Sequence, residues 1–270
     1  MDTIMEQEAA IRLSVFLGIF GVMAAWELVS PRRILTRPKG ERWLTNILLT
    51  AFNTALVRFA VPAIAVSAAV LAESEGWGVF HWIPPLPSLV VVIACVIALD
   101  LLIYAQHLVF HRVPVLWRLH RVHHTDLDID VTTALRFHPV EIIVSLFIKA
   151  VAVIALGAPV EAIILFEVVL NATAMFNHGN VRLPAPVDAL VRQALVTPDM
   201  HRVHHSVHAV ELNSNYGFNL SVWDRIFGTY RAQPVDGHDA MVIGLKEFRE
   251  PVDLALPFLL VQPFRNFSSK

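Results

Sequence analysis

Residues 88–112 read SLVVVIACVIALDLLIYAQHLVFHR, and this stretch decides what kind of molecule the chain is. From 88 to 106 it is apolar, with Asp100 as its only charge. About 20 such residues cross a bilayer core, so a membrane helix is expected over roughly 88–108. The run ends in His107 and His111. Side chains four apart share one helix face and reach one metal ion. Tyr104 and Asp100 continue that face. An acid inside an apolar span needs a partner, and the N–H of a metal-bound imidazole is a suitable one.

Working outward, further apolar runs cover 9–29 (flawed by Arg12 and Glu27), 46–72 (interrupted by Arg58 and Pro62) and 142–176. Gly157-Ala158-Pro159 splits the last into a helical hairpin whose halves are barely long enough to cross. The expected fold is an all-α integral membrane protein with about four membrane helices and a cytosolic helical cap. The whole chain, 1–270, reads as a single domain. Of 270 residues, 56% are hydrophobic and 16% charged, well away from an ordinary water-soluble enzyme. The net charge of −2 offers no field for nucleic acid. The single cysteine, Cys95, excludes a disulfide framework and a thiolate metal cluster. The acidic N-terminus lacks the basic region of a cleavable signal peptide. Arg32, Arg33, Arg37, Lys39 and Arg42 crowd the segment after the first run, whereas 59–111 holds no Lys or Arg. That asymmetry predicts a multi-pass protein with the 30–44 loop and every histidine cluster on the cytoplasmic side.

Thirteen histidines are many for so apolar a chain. After the break at Pro114 comes His120-Arg-Val-His123-His124, and later His201-Arg-Val-His204-His205. Thr197-Pro198-Asp199 reads as the start of the helix carrying the second copy. In each, positions i, i+3 and i+4 form one patch, and three neutral imidazoles on one patch call for a cation. His178 closes the second arm of the hairpin, with Asn171 and Glu167 on its face. Two, three, three and one make nine candidate ligands: His107, His111, His120, His123, His124, His178, His201, His204 and His205. One ion accepts roughly six at most, so nine imply two ions. Two redox-active ions beside a membrane suggest oxygen chemistry on a C–H bond. A zinc pair would suggest hydrolysis, against which the absence of an HExxH motif argues. A non-catalytic metal-binding membrane protein is a third reading. His138, before Pro139 and three residues ahead of Glu141, reads as a helix cap or a support behind a ligand. His208 lies one turn beyond His204 and could line the site.

Several signatures accompany the histidines. Leu116–His124 (LWRLHRVHH), Arg136–Glu141 (RFHPVE), Asn215-Tyr216-Gly217 and Trp223–Tyr230 (WDRIFGTY) resemble elements of the fatty acid hydroxylase superfamily, also called the sterol desaturase family. The likeness covers roughly residues 95–230. It implies a membrane oxidoreductase with two iron ions (Fe2+/Fe3+) that uses O2 to hydroxylate or desaturate a lipid. It further implies a separate electron-donor protein: a reductase, ferredoxin or cytochrome. His107 and His111, then His120, His123 and His124, then His201, His204 and His205 match its three histidine motifs, and His178 with Asn180 matches its isolated histidine element. Some members carry one more histidine a turn earlier; here that place is Ala174. Trp223, Ile226, Phe227 and Tyr230 repeat at helical spacing and read as a structural lock over the metal site.

Overall fold

The computed structural model describes residues 2–60 and 64–265. Among these residues every regular element is helical, and extended backbone forms only isolated bridges at Pro31–Val181, Leu195–Leu220 and Ser206–Ile243. The helices are α1 (Asp2–Val29), α2 (Lys39–Ala60), α3 (Ile64–Glu75), α4 (Val79–Trp82), α5 (Ser88–Arg112), α6 (Pro114–His124), α7 (Pro139–Leu156) and α8 (Val160–Asn177). Then come α9 (Ala185–Val191), α10 (Pro198–His204), α11 (Ala209–Leu212), α12 (Val222–Ile226), α13 (Gly237–Ala240) and α14 (Leu256–Val261), with short 3-10 turns at Thr133–Leu135, Pro251–Leu254 and Gln262–Phe264. The helical run 46–72 is divided between α2 and α3; the interruption at Pro62 lies outside the described residues.

Among the described residues five stretches are long and apolar enough to cross a membrane, by length and composition: α1, the region from α2 to α4, α5, α7 and α8. Each hairpin arm is a full 18-residue helix. The sequence explains both ends of α7. His138 is its N-cap, with Nδ1 accepting from the Val140 N–H at 3.2 Å, and Pro139 occupies the first position. Gly157 ends it in the left-handed region (φ 68°), with the Ala158 N–H donating back to the Val153 carbonyl at 3.1 Å. A Cβ at Gly157 would stand 2.6 Å from His81 and 2.7 Å from the Trp77 carbonyl, so α4's loop seals this turn.

The core between α3, α5, α7 and α8 is small and dry: Ala65, Ala69, Cys95, Leu99, Val153, Ile163 and Phe166. Much of the remaining apolar surface is uncovered, with Leu13 58%, Val151 67% and Leu28 74% exposed. Water would penalise such a surface heavily; acyl chains would not. Several charges inside the apolar runs are paired or hydrogen-bonded. Glu167 of α8 pairs with Lys149 of α7 and with Arg12 of α1. Glu27, at the end of α1, accepts from the backbone N–H groups of Val131 (2.7 Å) and Asn180 (2.9 Å) and so ties α1 to the cap.

The basic segment after α1 is bound into the cap as well. The Arg42 guanidinium forks onto both oxygens of Asp126 (2.7 and 2.8 Å) and reaches Asp130. Arg33 donates to the carbonyls of His238 and Met241. Asp128 accepts from the N–H groups of Thr36 and Arg37. The basic loop and all the histidine clusters therefore share one end of the bundle, and the Gly157 turn lies at the other.

Candidate metal centre

Three helices and one helix end deliver the histidines. α5 carries His107 and His111, ring centroids 5.1 Å apart. Extended Val113 and then Pro114 break the chain, so α6 folds back with His120 and His124 against the α5 histidines and His123 turned toward His178 and His205. His178 is the residue that closes α8. α10 carries His201 and His204, with His205 at its end; Thr197 caps it by accepting from the Met200 N–H at 3.3 Å, as the Thr-Pro-Asp signature predicts.

These nine rings gather into two sets. His107, His111, His120, His124 and His204 form one, and His123, His178, His201 and His205 the other. Within each set the candidate ligand atoms lie within 4.8 Å of one another. The sets adjoin, with the His124 and His205 rings 4.6 Å apart.

The backs of the rings fix their protons. Nδ1 of His107 donates to the Tyr216 carbonyl (2.8 Å), His204 to Ser214 (2.7 Å), His178 to Ala174 (2.7 Å) and His123 to Arg136 (3.2 Å). His120 Nδ1 meets the Glu141 carboxylate at 2.6 Å. Carbonyl and carboxylate oxygens only accept, so each Nδ1 holds the proton and each Nε2 presents a lone pair. The His123 and His178 Nε2 atoms then face each other at 3.1 Å with no proton between them. Nε2 of His107 and of His204 are buried with no partner at all. Buried lone pairs in opposition are costly, and a cation between them removes the cost. The donor set therefore fits two metal ions, held by imidazole nitrogen with no thiolate.

Burial, with neighbouring imidazoles adding to it, pushes His123, His124, His201, His204 and His205 well below the ordinary histidine value. Burial takes His178 down to about 4, against the opposing pull of its Ala174 hydrogen bond. These rings are neutral, hence able to ligate, at pH 7.

The supporting residues read from sequence land in different places. Asp100 does not reach an imidazole: it accepts from the N–H groups of Asn219 (3.3 Å) and Leu220 (3.2 Å) and from the Trp223 indole (2.8 Å). Tyr104 shares a hydrogen bond with Thr229 at 2.9 Å and stacks on Phe227. Both therefore anchor the Trp223–Tyr230 segment to α5. Asn171 donates to the Glu167 carbonyl inside α8, and Asn180 bonds the backbone of Arg33. His208 pairs with Asp236 at the surface. His138 caps α7 and touches the Leu260 carbonyl. The carboxylate behind a candidate ligand, His120, is Glu141, whose sequence position suggested only a partner for His138.

A second support was also hidden. Asp224 accepts from the N–H groups of Tyr216 and Gly217 (both 2.8 Å) and from the Thr229 hydroxyl. A Cβ at Gly217 would meet Asp224 Oδ2 at 2.7 Å, so only glycine lets the turn close. That turn carries the two carbonyls, of Ser214 and Tyr216, that hold His204 and His107.

The fatty acid hydroxylase family profile matches residues 92–229, a stretch that includes all nine clustered histidines. The chain is 25% identical over 225 residues to ornithine lipid hydroxylase OlsE of Rhizobium tropici, covering 82% of this chain and 67% of that protein. It is 29% identical to human alkylglycerol monooxygenase over 53% of this chain and 30% of the relative. It is also 29% identical to cholesterol 25-hydroxylase of Rattus norvegicus, over 53% and 47% respectively. The chain thus spans less than half the length of the last two. No solved structure matches. Both the profile and the two histidine sets it encloses lead to one assignment: the chain belongs to the fatty acid hydroxylase family.

Proposed function

We propose that this protein is a membrane-bound, non-haem di-iron oxygenase that hydroxylates a lipid C–H bond. O2 is the co-substrate and a separate protein supplies the electrons. The observation that carries the reading is the pair of buried imidazole sets with opposed, unprotonated Nε2 atoms, in a chain of this family. Two bound iron ions would supply the activation of O2. Hydroxylation is preferred to desaturation because the relatives are named as hydroxylases and monooxygenases, each of a lipid.

The chain's own residues supply position and dryness. Phe137 lies flat on His123 at 4.6 Å, Phe218 sits within 6.4 Å of His107, His178 and His201, and Trp117 covers His111 at 4.9 Å. These rings keep water from the nitrogens. His111 is half-buried as a residue while its Nε2 is buried, and it stands where α5 passes from the apolar bundle into the cap. A lipid moving laterally from the bilayer would arrive there with its chain along α5. The basic loop and the site would face the cytoplasm.

The test is metal content of the full chain purified in detergent without oxygen and supplied with ferrous iron. Substrate-dependent O2 consumption is then measured with a reducing system and ornithine lipid, alkylglycerol and cholesterol in turn. About two irons per chain and O2 uptake with one lipid are expected. Bound zinc that iron does not displace, together with turnover that needs neither O2 nor reductant, would overturn the reading in favour of a hydrolase.

A further inference from the structure

A cavity of about 710 Å³ opens on the cap beside α9, at the start of α10, and contains none of the nine clustered histidines. Its wall holds Arg32, Arg182, Arg192 and His238 against Asp188 and Asp199. Both acids carry ion pairs, Asp199 with Arg202 and Arg32 and Asp188 through Oδ2 with Arg192, while Asp188 Oδ1 is buried without a hydrogen bond. The Arg182 side chain is exposed and makes no direct ion pair among the described residues, although the Asp239 carboxylate, paired with Arg32, lies near enough to feel its charge. His238 is only 7% exposed, yet neither ring nitrogen makes a hydrogen bond; the nearest carboxylate oxygen, on Asp199, is 3.7 Å away. The buried Nε of Arg192 also donates to nothing. A neutral imidazole always keeps one N–H, so at least two buried donors and one exposed guanidinium lack an acceptor.

The position of the cavity narrows what supplies that acceptor. Leu195, just after α9, bridges to Leu220, and the Leu220 N–H donates to Asp100 within α5. Asp100 lies about 18 Å along α5 from Ser88, counting 1.5 Å per residue. A hydrocarbon core is about 30 Å thick, so this edge of the cap sits at or below the depth of the headgroups. It is built accordingly: Val187, Leu190, Ile226 and Phe227 are 44, 75, 62 and 54% exposed.

We propose that this cavity binds the phosphate group of an anionic bilayer lipid. Arg182, Arg192 and His238 are its donors, and Val187 and Leu190 are seated among the acyl chains. An oxygen-rich anion satisfies all three donors at once, and an arginine matches phosphate geometry. The site is independent of the metal reading, because none of its donors is a candidate ligand.

The experiment places the full chain in phosphatidylcholine vesicles holding a minor fraction of phosphatidylglycerol, extracts it gently and measures the ratio of the two lipids that co-purify. Enrichment of phosphatidylglycerol is expected in the wild type, falling about fivefold in Arg182→Ala and vanishing in Arg182→Glu. His238→Gln, which keeps a donor, retains more enrichment than His238→Phe. Equal metal content in all variants shows that the cap remains folded. Titration with inorganic phosphate separates the sources. Phosphate that binds in an Arg182-dependent way without lipid enrichment upholds the anion chemistry and overturns the lipid. Enrichment that is unchanged in both Arg182 variants, or absent from the wild type with no phosphate binding, overturns the site.

Discussion

Glu141 and Arg42 show how far single side chains set the properties of the cap. Glu141 holds His120 from behind, and its second oxygen, Oε2, is buried without a hydrogen bond. Its carboxylate orients the imidazole in front of it and holds the Nδ1 proton, leaving Nε2 free to ligate. Glu141→Gln keeps the shape and removes the charge, so ferrous iron is expected to be held about 10–100-fold more weakly. Retention against a chelator measures this, and unchanged retention would remove Glu141 from that role. Burial alone would raise the carboxyl of Asp126; the Arg42 guanidinium outweighs it and holds that carboxyl well below the usual range. The pair's contribution is therefore complete above the unfolded value of about 3.9 and is lost as pH falls toward the folded one. Arg42→Met leaves Asp126 buried and unpaired, at a cost of about 3–5 kcal/mol near neutrality. The thermal midpoint in detergent should drop accordingly at pH 7, and the gap to wild type should narrow below about pH 4.

At the scale of elements, the turn around Asn215-Tyr216-Gly217 and the turn at Gly157 serve opposite ends of the molecule. Asp224 uses one oxygen for the Tyr216 N–H and the other for the Gly217 N–H. Asp224→Asn turns one of those acceptors into a donor facing a donor. The backbone carbonyls of Ser214 and Tyr216 shift, and with them His204 and His107, which both belong to the five-imidazole set. The expected outcome is bound metal falling from about two ions per chain toward one, the four-imidazole set keeping its ion. Equal loss from both sets, resolved by a spectroscopic signature of each ion, would contradict this division. Gly157→Ala, by contrast, strains a left-handed residue and drives a Cβ into His81 and the Trp77 carbonyl. It should lower the thermal midpoint by an amount equivalent to about 1–3 kcal/mol while leaving metal content unchanged, because this turn lies at the far end of the bundle.

For the whole molecule, charge separates the two ends and should set its orientation. By the positive-inside rule the arginines of residues 30–42 would count as a basic cytoplasmic loop, although Arg42 and Arg33 are spent on cap contacts. With Cys95→Ala as background, Lys246→Cys in the cap and Glu75→Cys at the far end give two exposed probes. A membrane-impermeant thiol reagent added to intact cells is expected to label the second and not the first. The reverse pattern would invert the topology.

Local pattern alone determined the apolar helices, the hairpin break at Gly157, the cap of α10 and the nine histidines, because each rests on spacing along one helix or on residue type. Which rings share a set was not legible: His124 and His204, 80 positions apart, face the same centre, whereas adjacent His123 and His124 are divided between two. Neighbours on a helix point about 100° apart, and only the fold-back of α6 and the docking of α10 decide what each then faces. The same reason hid Glu141 behind His120 and sent Asp100 to the Trp223 loop instead. Sequence spacing placed Asp100 on the histidine face of α5, but the extended backbone of residues 219–220 brought unpaired N–H groups to it first. Residue identity fixes what a side chain can bind; packing of distant segments decides which partner arrives.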